Sequence, residues 1–313
     1  MRPSRLLWAA LLAALLSSCG GGGGGQQAVS GPATSTPTVP QEPGMPAQTG
    51  DTATDGYNWF NYRRAQLGLS VLTRNARIDA AAQAHSNYQN LNGSITHDEI
   101  SGKPGFTGAT LTDRLQAAGY TLTGSYAIGE VISATSSTSG AYQAEQLIAA
   151  IYHRFVIFSP AFKEMGAGAA TASGGNGYTY FTADFTAING YKLLGLGKFV
   201  TYPISNQTGV PTNFFSDSET PDPVPGQNEV GYPVSVHADV TSTVVVQSFS
   251  IAPHGGAPLS VRLLSSATDS ETKANVAAIV PLTVLQSGAT YDVSFTGTVD
   301  GVAVTRNWSF TTK

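Results

Sequence analysis

The hydrophobic positions of this chain change their period twice. They run unbroken over residues 6–16. Between about residue 55 and residue 151 they recur every third or fourth position, the period of a helix with one buried face. Asp55 can cap a first helix that reaches Leu67 and stops at Gly68. Ile78, Ala81, Ala82, His85 and Tyr88 share one face of a second helix over 75–91, which Gly93 ends. Residues 111–118 form a short third helix closed by Gly119, and Ala144, Leu147, Ile148 and Ile151 mark a fourth. The period then falls to two. Phe181, Ala183, Phe185 and Ala187 alternate as in a half-buried strand, and the glycine-rich turn over 173–177 joins it to the 165–171 run. Helices followed by an antiparallel hairpin predict an α+β sandwich.

From about residue 232 the helical period is gone. Short Val-, Thr- and Ser-rich runs occupy 242–251, 259–264, 291–299 and 302–312, and Asp300-Gly301 between the last two is a hairpin signal. Trp308 and Phe310 fall on one strand face, as do Tyr291, Val293 and Phe295, which predicts core. Residues 232–313 are therefore expected to form an all-β sandwich of the immunoglobulin type. His237 and His254 are expected at its surface. Two stretches lack the apolar content to fold. Residues 19–54, rich in Gly, Gln, Ser, Thr and Pro, suit a disordered tether. Residues 204–231, with the prolines of 218–226, suit a linker. The expected order is a signal at 1–18, the tether, a folded domain over 55–203, the linker and the β domain.

The opening apolar run follows Arg2 and Arg5 and ends in small residues, the layout of a secretory signal. Crossing a bilayer takes roughly 20 apolar residues, and this run is shorter. Cys19 is the only cysteine of the 313 residues, so no internal disulfide can form. The stretch Leu16-Ser17-Ser18-Cys19 resembles the lipobox of bacterial lipoproteins. That resemblance implies cleavage before Cys19, acylation of its thiol and amino terminus, and lipid anchoring to the cell envelope, at the periplasm or the cell surface. Two or more acyl chains make such an anchor stable. The net charge of −4 carries no basic patch and argues against a nucleic-acid partner.

The first folded region resembles the CAP superfamily (cysteine-rich secretory proteins, antigen 5 and plant pathogenesis-related proteins), above all its cysteine-free bacterial members. The resemblance rests on Asn61-Tyr62-Arg63 with Gly68-Leu69 and Leu72, on the 81–88 helix segment and on His97. It continues with Asp113-Arg114, Gly119-Tyr120, Gly129-Glu130-Val131-Ile132, Tyr152-His153-Arg154, Pro160 and the 165–168 run. It implies an α-β-α sandwich with an open cleft holding two histidines and two acids. His97 and His153 match the histidines. Glu130 matches the glutamate of the family's Gly-Glu-Asn motif, with Val131 here in place of the asparagine. The family pattern places the second acid on the helix before His153, where Glu145 is the only acid.

Each of these residues also has a plain structural reading. His85 sits on an apolar helix face and reads as a packed histidine bonded to backbone. His97 stands beside Asp98 and Glu99 and could be a solvated loop residue. His153 could cap the end of its helix, and Glu130 could do no more than shape its turn. Two neutral imidazoles, His97 and His153, could hold a divalent, zinc-like metal, with Glu130 as third ligand or as an orienting partner. No cofactor is required, and no Gly-x-Ser-x-Gly nucleophile motif is present. The leading expectation is a binding module whose cleft takes an apolar small molecule, a lipid or a peptide, rather than an enzyme. The alternatives are metal-assisted hydrolysis at His97, Glu130 and His153, and adhesion or scaffolding through the β domain.

Overall fold

The computed structural model describes residues 42–172 and 177–313. The signal, Cys19, the tether up to residue 41 and most of the expected 173–177 turn lie outside the described residues. Helix α1 (Thr52–Gln66) starts one turn earlier than the sequence suggests, because Asp51, not Asp55, caps it, accepting from the Thr54 amide at 2.7 Å. The Asp55 carboxylate is buried instead beneath the preceding turn, accepting from the Thr49 and Gly50 amides at 2.7 and 3.0 Å. Residues 42–54, expected in the tether, are fastened to the fold at several points although much of the stretch is exposed. Glu42 forms a two-pronged ion pair with Arg63, and Met45 lies against the core.

Strand β1 (Thr73–Arg74) leads into α2 (Ala76–Asn92), capped by Asn75 and ended by Gly93 in the left-handed conformation. Helix α3 (Leu111–Ala117) opens with a reciprocal capping box between Thr110 and Asp113. Strand β2 (Ala127–Thr135) follows. The expected fourth helix is two helices, α4 (Gly140–Ala149) and α5 (Ile151–Ile157), broken at Ala150, whose backbone is extended. Strands β3 (Glu164–Thr171) and β4 (Thr179–Ala187) complete a sheet of order β1-β3-β4-β2.

Helices cover both faces of this sheet. Gly166 and Gly168 explain how α2 comes so close: a Cβ on either would stand 2.2 Å from α2 backbone. Beyond the two residues of β1, α2 also satisfies the outer edge of β3. Asp79 accepts from the Ala167 amide, and the Gln83 amide bonds both the N–H and the C=O of Ala169. Helices α1, α4 and α5 cover the other face, where Trp59, Phe60, Phe181, Ala183 and Phe185 are fully buried. Strand β4 is not half-buried as its alternation suggested. Thr182, Asp184 and Thr186 on its second face are just as buried, under α2.

The C-terminal region is β-rich. It holds β5 (Phe199–Tyr202), β6 (Gln207–Val210), β7 (Asn213–Phe215), β8 (Glu229–Gly231), β9 (Val234–Ala238), β10 (Val244–Pro253), β11 (Val261–Leu264), β12 (Val276–Pro281), β13 (Thr290–Val299) and β14 (Val302–Thr312). Two four-stranded sheets have the orders β10-β13-β14-β6 and β11-β12-β9-β5, and β7 pairs with β8. Phe199 of one sheet meets Phe295 of the other with ring centroids 5.4 Å apart. The 204–231 stretch is thus not a free linker. It contributes β6, β7 and β8 and buries Val210, Phe214, Val224 and Val230. Asp300 and Gly301 both take positive φ, as a tight hairpin turn requires.

Candidate functional site

Glu130 lies in mid-β2, and strand alternation turns its side chain toward α2 and α3. Both oxygens are occupied. Oε1 accepts from His97 Nδ1 at 2.8 Å and Oε2 from Arg114 Nη2 at 2.6 Å. Arg114, buried on α3, also donates to the His97 carbonyl at 2.8 Å, so one guanidinium fixes both the acid and the loop that bears the histidine. Only the imidazole reaches solvent: the His97 side chain is 56% exposed, that of Glu130 4%. Burial works to raise the Glu130 pKa. The His97 hydrogen bond and the positive field of Arg114, His85 and His97 outweigh it and hold the carboxyl below its ordinary value.

Directly opposite Glu130 across the β2–β4 pair stands Asp184. It is completely buried, and neither oxygen meets a donor in hydrogen-bond geometry. Burial and the negative Glu130 push its pKa well above the ordinary value, against the pull of Arg114. The site thus favours the protonated form of Asp184 and the ionised form of Glu130 in front of it. The loop carrying His97 is pinned as well. Its Glu99 carboxylate accepts from the Thr107 and Gly108 amides and pairs with His85 Nδ1 at 2.9 Å, while His85 Nε2 meets the Thr96 carbonyl at 2.7 Å. His85 is the packed, backbone-bonded histidine expected.

His153 does not join this group. Its helix, α5, lies on the opposite side of β2. A Cβ on Gly129 would stand 2.7 Å from Val156 and 3.0 Å from Phe162, and Glu130, the next residue, points the other way. The His153 imidazole pairs instead with Glu219 of the C-terminal region, Nδ1 to Oε1 at 2.8 Å. The same oxygen accepts from the Tyr152 and His153 amides at 2.8 and 3.0 Å. These are orphan donors of the first turn of α5, which Ala150 cannot cap, and a carboxylate suits that end of a helix. Glu145 is not a cleft residue either. It is buried against α1, accepting from Trp59 Nε1 at 2.6 Å and Arg63 Nε at 3.1 Å. Among the described residues no three His, Cys, Asp or Glu side chains gather to hold a metal. His97, Glu130 and His153 do not fit one ion, since a strand lies between the first pair and the last.

The α5 side holds the seam between the two halves. Arg154 donates to the Pro233 carbonyl at 2.6 Å and lies over the rings of Tyr202 and Tyr232. His237, expected at the surface, is fully buried there, with its ring against Phe155 and Phe158. Burial, and secondarily the charges of Arg154 and Arg64, push its pKa down to about 3. His254 is at the surface as expected, paired with Asp292. Beside the seam runs a groove of about 220 Å³ lined by Tyr152, Phe155, Val156 and Phe162 of the first domain and by Val240 and Val276 of the second. A larger hollow of about 560 Å³ lies at the start of α2. Its polar groups serve one another: Glu164 accepts from Tyr120 Oη at 2.6 Å and from Asn75 at 2.8 Å. Burial and that carboxylate push the Tyr120 phenol up to about 12.

The first domain thus stacks α-β-α layers around the glycine-spaced β3, with the His97–Glu130–Arg114 group on its α2 and α3 side. Residues 57–185 match the model of the cysteine-rich secretory protein family, and this part of the chain is a CAP domain. Among solved structures, the chain is similar to an extracellular protein containing an SCP domain from Bacillus anthracis. Identity is 22% and the TM-score 0.36, over 47% of this chain and 44% of that one, so the likeness spans under half of the relative's length. It is also similar to an outer surface protein from Borrelia burgdorferi, at 13% identity and TM-score 0.35, over 44% of this chain and 89% of that one. No curated protein matches the chain. Among the described residues no helix is long and apolar enough to cross a membrane.

Proposed function

We infer that the protein is a binding module of the bacterial cell envelope, anchored through acylated Cys19, and that its ligand is an apolar small molecule, lipid or peptide segment held in the seam groove. The groove carries this reading. It is walled by aromatic and aliphatic side chains from both halves, with polar Lys273, Glu271 and Asn275 at its edge, the layout of sites that bury an apolar body and orient it by a few polar groups. At about 220 Å³ it suits one aromatic side chain or the end of an acyl chain, not a whole lipid. The chemistry of the histidines supports binding over turnover. His97 and His153 each give Nδ1 to a carboxylate, and neither is bonded to a hydroxyl or thiol that it could activate. The fixed seam suits a ligand site built from two halves.

Titration of the full chain with uncharged, fluorescent N-phenyl-1-naphthylamine tests the groove. Val240 is exposed at its rim, so Val240→Lys places an ammonium there without touching the core. The expected result is a tenfold or greater loss of probe affinity in Val240→Lys and none in Val245→Lys, a somewhat more exposed position on β10. Equal affinities in both variants and wild type would remove the groove as the site. The anchor is tested separately: Cys19→Ala should move the protein from the membrane to the soluble fraction.

A further inference from the structure

The end of α2 and the loop that leads from it to α3 turn large apolar side chains outward. Leu91, Ile95 and Ile100 are 61, 58 and 63% exposed, and Phe106 is 38% exposed. Contacts tie the surroundings of Leu91, Ile100 and Phe106 together, and Ile95 follows three residues beyond the end of α2. Gly105 lies against Leu91 and Tyr88, with its Cβ direction 3.0 Å from Leu91 Cδ1. The Ile100 amide donates to Tyr88 Oη, and the Lys103 amide donates to the Ile100 carbonyl. The Phe106 amide donates to the Lys103 carbonyl, and Asn92 holds the Pro104 carbonyl. The display is also rigid, because Glu99 and His85 lock the loop from beneath. A chain that fixes four apolar side chains in water at one end of a helix is built to cover them.

We propose that this loop is a membrane-docking surface, and that Leu91, Ile95, Ile100 and Phe106 enter the interfacial layer of the bilayer to which Cys19 is anchored. The proposal rests on that anchor. Two observations favour a bilayer over a protein partner. The first is size. Four such side chains expose a few hundred Å² of apolar surface, whereas a stable protein interface takes roughly 800 Å² from each partner. A contact of this size is weak in free solution. It becomes effective when a tether keeps it at high local concentration. The second is reach. Glu42, the first described residue, is held by Arg63 on the α1 side, and Cys19 precedes it by 23 residues, which can span at most about 80 Å. That is ample to bring the α2 end round to the surface. Lys103, exposed within the loop, can extend its ammonium toward lipid phosphates while its stem lies along the apolar layer.

The test uses the full mature chain with Cys19→Ala, tethered in place of the acyl anchor by an amino-terminal hexahistidine tag to a trace of nickel-chelating lipid in the vesicles, and an environment-sensitive nitrobenzoxadiazole label on Ile100→Cys or, as control, on Val245→Cys. Vesicles of phosphatidylethanolamine and phosphatidylglycerol are added. The expected result is a several-fold, blue-shifted rise in emission from position 100 alone, abolished by Leu91→Asp with Phe106→Asp. Both changes replace exposed side chains, and an unchanged melting temperature confirms the fold. No rise at position 100, an equal rise at position 245, or a rise that survives the two aspartates overturns the proposal. So does a protein partner that covers the loop while vesicles leave it unchanged. Retention of Cys19→Ala in the membrane fraction of cells would instead count against the anchor, and Val240→Lys, which probes the groove, should leave the vesicle response intact.

Discussion

Replacing Asp184 by Asn keeps the shape of the most deeply buried acid of the first domain and removes its proton. In the unfolded chain an aspartic acid titrates near 3.8. In the fold, burial and the facing Glu130 hold the proton to well above that value. Between the two values the folded protein binds one proton more than the unfolded chain. The stability that Asp184 contributes is therefore complete below about pH 4 and is lost as pH rises toward the folded value. The slope is at most about 1.4 kcal/mol per pH unit. Glu130 acts in the opposite sense, since its carboxyl is lowered: it stabilises above its ordinary value and loses that contribution in acid. Wild type and Asp184→Asn both keep Glu130, so their difference reports the Asp184 proton together with its coupling to Glu130. Urea denaturation at a series of pH values from 4 to 9 gives the two curves. Asp184→Asn should gain on wild type as pH rises, with a slope approaching that of one proton until the folded pKa is passed. Parallel curves, or a variant that loses ground at high pH, would refute the buried protonated acid.

Other outcomes follow from the same geometry. Glu219→Ala leaves two helix amides and an imidazole without their acceptor, and should cost about 3 kcal/mol in urea denaturation. His237 is depressed to about 3 from an unfolded value near 6.5. Its stabilising contribution is present above pH 6.5 and lost as pH falls toward 3, so His237→Asn should flatten the acid limb of the stability curve. In thermal shifts with added zinc, any stabilisation lost in His97→Ala should survive in His153→Ala, because the two imidazoles cannot share an ion across β2.

The helices were legible because their signals are local. Asn75 and Gly93 bound α2, Gly119 ends α3, and the apolar face of α2 repeats at helical spacing. The β hairpin at Asp300-Gly301 was legible for the same reason. Strands β5, β6 and β9 were not, since their pairing partners lie far along the chain: Tyr202 pairs with Ser235 and Gln207 with Phe310. Prolines between 218 and 226 suggested a linker although the valines and phenylalanines around them fill a core. His97 and Glu130 were found through the family pattern, and they do meet. His153 matches the same pattern, yet Glu219, 66 positions away, takes its imidazole. No spacing in the sequence announces that pair. Asp184 was passed over because alternation on β4 implied one wet face. That face is dry, and its Thr182 hydroxyl is met by Ser86 and Gln89 of α2. Arg114 was noticed only as part of a motif, although it is the group that joins acid to loop.

The central claim is that ligand sits in the groove between the two halves and not at the histidine pair. Photo-crosslinking of the full chain with an uncharged diazirine-bearing fatty alcohol, followed by peptide mapping, tests it most directly. Adducts concentrated on residues 152–162, on Val240 and on residues 271–276, and diminished in Val240→Lys, are expected. Adducts gathered around His97 and Glu130, with the groove peptides unmodified, would contradict it.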